Sequence, residues 1–223
     1  MNSSFELLQA LKQAKYLPKD ALEFWWPGSG SFEVLVGAIL TQQAKWEKVQ
    51  KSLENLKQNN ILHLEGIVNQ DRSELASMIK PSGFYNTKAK NLQILCKNIL
   101  KEFESFENFS LHVTREWLLN QKGIGCESAD SILCYACFKE IMVVDSYTNR
   151  LLKTFGYEFE SYDALQEWMQ EGIINNWDKV ISLYENEVSL HFVYARFHGK
   201  IVEFCKKNMR KNKVNLAELS FNK

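Results

Sequence analysis

Two segments of this chain carry residue types and spacings that could do chemistry. The first is Leu118-Leu119-Asn120-Gln121-Lys122-Gly123-Ile124-Gly125-Cys126-Glu127-Ser128-Ala129-Asp130. One helical pattern ends, Gly-Ile-Gly turns the chain, and another helical pattern starts. Glycine at both ends of so tight a turn predicts unusual dihedrals and a close approach to another group. The N–H groups that open the second helix have no intrahelical partner and point outward, which suits an anion such as a phosphate. Ile124 is expected to plug the apolar space between the helices. An ordinary tight turn between two helices has the same composition, so both readings stand on these residues alone. The second segment is Met142-Val143-Val144-Asp145, whose acid lies twenty residues past Gly125 and closes an apolar run. Such an acid can cap the next helix, act as a carboxylate in catalysis, or do both.

The elements that must position these residues read as helices almost throughout. Apolar residues recur at helical spacing in Phe5, Leu8 and Leu11, in Phe32, Leu35, Val36, Ile39 and Leu40, and in Leu92, Leu95, Cys96, Ile99, Leu100 and Phe103. Asp71 with Glu74 has capping-box spacing, and Ser31 and Ser161 stand just before periodic runs. Ile141 to Val144 is either a short strand or a buried extended connector. Three prolines and ten glycines are too few breakers for an all-β sandwich. The reading is all-α, with about ten helices.

Of the 223 residues, 45% are apolar and 13% aromatic, enough for a sizeable core in one or two domains. Lys+Arg and Asp+Glu balance at 27 each, so any nucleic-acid binding must rest on a local patch rather than a global field. Lys206, Lys207, Arg210, Lys211 and Lys213 form a basic stretch without an acid, either a phosphate-facing patch or a solvated helix end. The longest apolar run, Val34 to Leu40, is far too short to span a bilayer, which needs about 20 residues. The opening Met-Asn-Ser-Ser-Phe-Glu does not read as a secretory signal. Together with an odd count of five cysteines, this predicts a cytoplasmic protein with reduced thiols and no membrane partner. Cys134 and Cys137 form a lone C-x-x-C without a second pair, expected to be buried helix surface rather than a metal site.

Gly123-Ile124-Gly125 with Ala129, followed by Val143-Val144-Asp145, resembles the helix-hairpin-helix and aspartate pattern of the endonuclease III superfamily of DNA glycosylases, although no Gly or Pro immediately precedes the aspartate region. Phe32 to Gln43 is similar to the family's first barrel helix, and Gly83-Phe84-Tyr85-Asn86-Thr87-Lys88-Ala89 to its Gly-hydrophobe-Tyr-Asn-x-Lys-Ala turn. The resemblance runs from about residue 30 to 155 and is strongest to the branch of 3-methyladenine DNA glycosylases that resemble endonuclease III. It implies a six-helix barrel domain over 28–138 and a second helical domain from 1–27 and 139–223. The active-site cleft then falls between the two, with Asp145 at its mouth. It also implies Asp145 as the catalytic carboxylate, Gln43 and Phe84 as residues inserted into DNA, and Lys122, Gly123, Ile124, Gly125 and Ser128 as the phosphate grip. The partner would be double-stranded DNA with an alkylated base, engaged by a monomer.

Two departures from the superfamily narrow the expected reaction. Members that also cut the backbone place an imine-forming lysine two residues past the second hairpin glycine, where this chain has Glu127. Lys122 lies on the wrong side of the hairpin for that role. Many members end in a four-cysteine iron–sulfur loop, whereas beyond Asp145 this chain has only Cys205. A monofunctional glycosylase in base excision repair, with no iron–sulfur cluster or other cofactor and no metal, is therefore expected. The alternatives are a bifunctional glycosylase/lyase on oxidised pyrimidines and a non-catalytic helix-hairpin-helix DNA-binding protein. Trp25, Trp26, Pro27 and Trp46 fall on segments that the family fold brings to the base pocket. Their indoles could stack on a cationic purine such as 3-methyladenine, or could be packing. Trp117, Trp168 and Trp177 are read as packing. Lys200, in an apolar helix, must find a partner or shift its pKa.

Overall fold

The protein is represented by a computed structural model that describes residues 1–18, 21–211 and 213–221. Among these residues thirteen α-helices follow in chain order: α1 (Ser4–Gln13), α2 (Phe32–Leu40), α3 (Trp46–Gln58), α4 (Leu64–Asn69), α5 (Arg72–Met78), α6 (Tyr85–Phe103), α7 (Phe106–His112), α8 (Arg115–Leu119), α9 (Cys126–Ser131), α10 (Ser146–Thr154), α11 (Tyr162–Ile174), α12 (Trp177–Ile181) and α13 (Leu190–Asn208). The fold is all-α apart from a two-residue antiparallel pair, β1 (Met209–Arg210) and β2 (Lys213–Val214). The helices beyond the expected ten are short ones with their own caps. Ser105 accepts from the Asn108 N–H and Thr114 from the Trp117 N–H, so each starts a helix too brief for periodicity to reveal. Asp71 and Ser161 cap α5 and α11 as read. Ser31 precedes α2 but caps nothing with its side chain; its hydroxyl donates to the Gly28 carbonyl at 2.6 Å.

Two compact units divide the chain, Gly28–Lys139 in one and Met1–Pro27 with Glu140–Lys223 in the other. In the Gly28–Lys139 unit, α2 is the central element. Every one of its residues except Glu33 is buried, as a helix apolar on all sides requires. It packs on α3, α6, α9 and the π-helical turn Ile132–Ala136 that continues α9. In the other unit α1 packs on α11 and α13, and α10 packs on α13.

The segment Ile141–Val144 is the connector, not a strand. Met142, Val143 and Val144 are buried, and side chains supply the pairing a sheet would have given. Gln170 accepts from the Met142 N–H at 3.3 Å, and Gln166 donates to the Met142 carbonyl at 2.6 Å. This fixes the chain where it delivers Asp145 to the start of α10. Trp117 packs edge-on against Phe103 and Phe109, and Trp168 packs at a tilt against Tyr157 and Phe159. No helix among the described residues is long and apolar enough to cross a membrane.

Candidate active site

Asp145 is the N-cap of α10. Its Oδ1 accepts from the Thr148 N–H at 2.8 Å and from the Thr148 hydroxyl at 3.0 Å. The other oxygen, Oδ2, lies 3.6 Å from His198 Nε2 on α13, an ion-pair separation rather than a hydrogen bond. Burial alone would raise the carboxyl pKa, but His198 and the two Thr148 donors outweigh it and hold the group below the ordinary carboxylate value. These contacts keep the carboxylate ionised. Capping engages Oδ1 and leaves Oδ2 uncommitted to the helix.

His198 also meets Trp25, the two rings edge-on with centroids 5.2 Å apart. Trp25 and Trp26 stand in a turn, not on a helix, with Trp25 at φ +70° and the two rings edge-on at 6.1 Å. Both are half-buried and Pro27 is exposed. The Trp25 Nε1–H donates to Glu203 at 3.1 Å, and Lys206 Nζ lies 5.7 Å from the ring centre. Gly199 makes this seat possible, because a Cβ there would lie 2.5 Å from Trp25 Cγ.

The chain approaching Trp25 is held by two buried cations of α13. Arg196 donates to the carbonyls of Leu17, Pro18, Leu22 and Glu23, and Lys200 to those of Tyr16 and Leu17. Lys200 thus has partners, and among the described residues they are main-chain dipoles. Burial and the neighbouring Arg196 and Lys12 charges lower its pKa to about 7. Part of the basic stretch is already paired: Lys206 meets Glu203 at 3.1 Å and Lys207 meets Glu218 at 2.9 Å. Arg210, Lys211 and Lys213 are exposed around the β1–β2 turn.

In the Gly28–Lys139 unit the hairpin joins α8 to α9. Gly123 takes φ +82°, a left-handed conformation that favours glycine, and a Cβ there would fall 2.2 Å from Asn91 Nδ2, which would have to move aside. Gly125 differs from expectation. It is an extended N-cap at φ −101° with open space where a Cβ would be, so it needs no special dihedral. Ile124 is buried and Lys122 is exposed. Ser128 is buried, and its hydroxyl accepts from Gln42 Nε2 at 3.0 Å. Glu127 is exposed in the first turn of α9. Gln43 and Phe84 are both exposed and both left-handed, at φ +52° and +46°. Phe84 is 66% exposed, which excludes the core-aromatic role that buried phenylalanines usually play. Trp46 is half-buried at the first residue of α3.

Sequence reasoning missed His198, Gln42, Arg196 and the structural part played by Lys88. His198 and Lys88 stood inside segments already singled out, and Gln42 was masked by its neighbour Gln43. Burial pushes the Cys137 thiol up to about 12. No group of three or more His, Cys, Asp or Glu among the described residues could hold a metal. Between Asp145 and Lys223 the sequence has one cysteine, the buried Cys205.

The sequence profile of the HhH-GPD superfamily of base excision DNA repair proteins matches residues 36–173. The chain belongs to that superfamily and is a DNA glycosylase. Its fold is similar to that of the Helicobacter pylori 3-methyladenine DNA glycosylase MagIII bound to 1,N6-ethenoadenine, at 54% identity and a TM-score of 0.90, over 93% of this chain and 99% of that one. It is also 36% identical over 194 residues to a Methanocaldococcus jannaschii protein provisionally named a DNA repair glycosylase, covering 84% of this chain and 82% of the relative. A trapped covalent intermediate of endonuclease III with DNA, 18% identical with a TM-score of 0.73 over 96% of this chain and 91% of that one, shares the fold.

Proposed function

We propose that this glycosylase is monofunctional. It extrudes alkylated, cationic purines such as 3-methyladenine from double-stranded DNA and hydrolyses the glycosidic bond, leaving an abasic site. The observation that carries this reading is Asp145, a carboxylate kept ionised with one oxygen outside its helix cap. The likeness to the H. pylori 3-methyladenine glycosylase supports the choice of substrate.

A cationic purine is already a good leaving group, so no strong general acid is needed. The C1′–N bond breaks, its electron pair leaves with the base, and positive charge develops on the sugar. Asp145 Oδ2 stabilises that charge and accepts a proton from the water that adds to C1′. Glu127 cannot form an imine with the sugar, so the strand stays intact. Trp25 and Trp26, with Pro27, and Trp46 offer aromatic faces that favour a cationic base by about 0.5–2 kcal/mol over a neutral one. Gln43 and Phe84 fill the space the extruded base leaves. Lys122, the Gly123-Ile124-Gly125 turn and the start of α9 grip phosphate, and the enzyme works as a monomer without a cofactor.

Asp145→Asn tests the reading. The amide oxygen can still accept the Thr148 hydrogen bonds, so the cap and the fold survive. Binding to methylated duplex should be retained, while single-turnover base release should fall by about 10²–10³-fold, the usual cost of losing one charge-stabilising group. A near-wild-type release rate would refute the mechanism.

A further inference from the structure

Three separate pieces of the Gly28–Lys139 unit are assigned above to DNA: the hairpin at Gly123, the turn carrying Gln43, and the turn carrying Phe84. Two side chains tie them together. Gln42 Nε2 donates to the Gly123 carbonyl at 2.9 Å and to the Ser128 hydroxyl at 3.0 Å. Lys88 Nζ donates to the Leu40 and Ser82 carbonyls, both at 2.8 Å. Leu40 is the last residue of α2, three positions before Gln43. Ser82 is the last residue of the 3₁₀ turn Lys80–Ser82, two positions before Phe84. The contacts therefore run without a break from hairpin to Gln42, from the end of α2 through Lys88 to the 3₁₀ turn, and on to Phe84.

We infer that Gln42 and Lys88 are positioning residues that make the phosphate grip and the two gap-filling residues one mechanical piece, so that seating the hairpin on the backbone also presents Gln43 and Phe84 to the base stack. Packing alone does not account for either residue. Lys88 is 4% exposed, and a buried ammonium is costly where an apolar chain of the same length would fill the space. Its hydrogen-bond partners among the described residues are two carbonyls at helix C-termini, where unpaired C=O groups and the negative end of the helix dipole collect. With no carboxylate to hold the charge, burial lowers the Lys88 pKa to about 8. Gln43 and Phe84, three and two positions beyond these carbonyls, stand in left-handed backbone while exposed to solvent, a conformation that persists only where the surroundings impose it. Lys88 and Gln42 supply that imposition.

The inference rests on the proposed role of Gln43 and Phe84, and its test does not require base release. Wild type, Lys88→Met, Gln42→Met and the double variant are saturated with a duplex carrying a tetrahydrofuran abasic analogue beside 2-aminopurine, whose fluorescence reports loss of stacking. Each single variant should lose most of the fluorescence change, and the double variant should resemble the more severe single, because both break one chain of contacts. On a methylated substrate, release from a fully paired lesion should fall about tenfold, while release from a bulged, already unstacked lesion stays within about threefold of wild type. Gln42 is half-buried, so its variant keeps the test open if Lys88→Met does not fold. Wild-type fluorescence amplitude in both singles overturns the inference. So does an equal loss of release on paired and bulged lesions, the mark of a merely structural role. If wild type releases no methylated base yet the fluorescence depends on both residues, the substrate reading fails and the coupling stands.

Discussion

Gly199→Ala sets two known effects against each other at one atom. Gly199 is internal to α13, where alanine in place of glycine ordinarily stabilises by about 1 kcal/mol. Here the added Cβ would lie 2.5 Å from Trp25 Cγ, 2.7 Å from its Cβ and 2.9 Å from its Cδ2. Carbon atoms in contact sit about 3.5–4.0 Å apart, so the ring or the helix must shift by about 1 Å. The crowded atoms are at the root of the side chain, so rotating its tip brings no relief, and the Nε1–H bond to Glu203 opposes movement of the ring. Overpacking of this kind costs about 1–3 kcal/mol, which exceeds the helix gain. The variant should melt about 2–4 °C below wild type for each net kcal/mol lost, read by calorimetry. Displacing a stacking ring by about 1 Å should slow single-turnover release of 3-methyladenine by up to about 10²-fold with little change in duplex affinity. A variant that melts at or above the wild-type temperature and releases base normally would refute the seating of Trp25 on Gly199. One that is destabilised but releases base normally would show that Trp25 only packs.

Borohydride should trap no enzyme–DNA adduct, since Glu127 occupies the position of the imine-forming lysine; efficient trapping on gels would disprove the monofunctional reading. Lys200, near 7 in the folded protein against about 10.4 in an unfolded chain, gives up its proton first in the native state. Folding should therefore gain stability from this group as pH rises from 7 towards 10, and the charged form below pH 7 is the less favourable one. The urea midpoint of wild type relative to Lys200→Met should move in favour of wild type across that range. A pH-independent difference would show that burial does not shift the group.

The hairpin, the aspartate and the apolar helix α2 were legible because each depends on local features: glycine dihedrals, an acid ending an apolar run, a continuous apolar stretch. Even there the sequence assigned two special glycines where the backbone needs only Gly123. What could not be read are contacts in which a side chain seeks a distant main-chain oxygen. Arg196 meets carbonyls more than 170 positions away, and Lys88 and Gln42 do the same at shorter range. A buried cation invites a search for an acid, whereas the hydrogen-bond partners of Arg196 and Lys88 among the described residues are carbonyls. The exposed, left-handed state of Gln43 and Phe84 was equally hidden, since neither residue type favours positive φ.

Because Arg196 and Lys200 grip main-chain oxygens, the segment they hold is recognised by its path and not by its residue types. Pro18, Leu22 and Glu23 have exposed side chains while their carbonyls are in use. Evolutionary drift there should be nearly free, so long as the chain keeps its course to Trp25. The same freedom is denied to the gripping side: lysine at position 196 could not reproduce a planar fork that reaches four oxygens at once. Divergent relatives would therefore keep the cations on α13 and the buried Tyr16 and Leu17 while the exposed positions of the strap drift, and a comparison of side chains alone would pass over those positions as unconstrained.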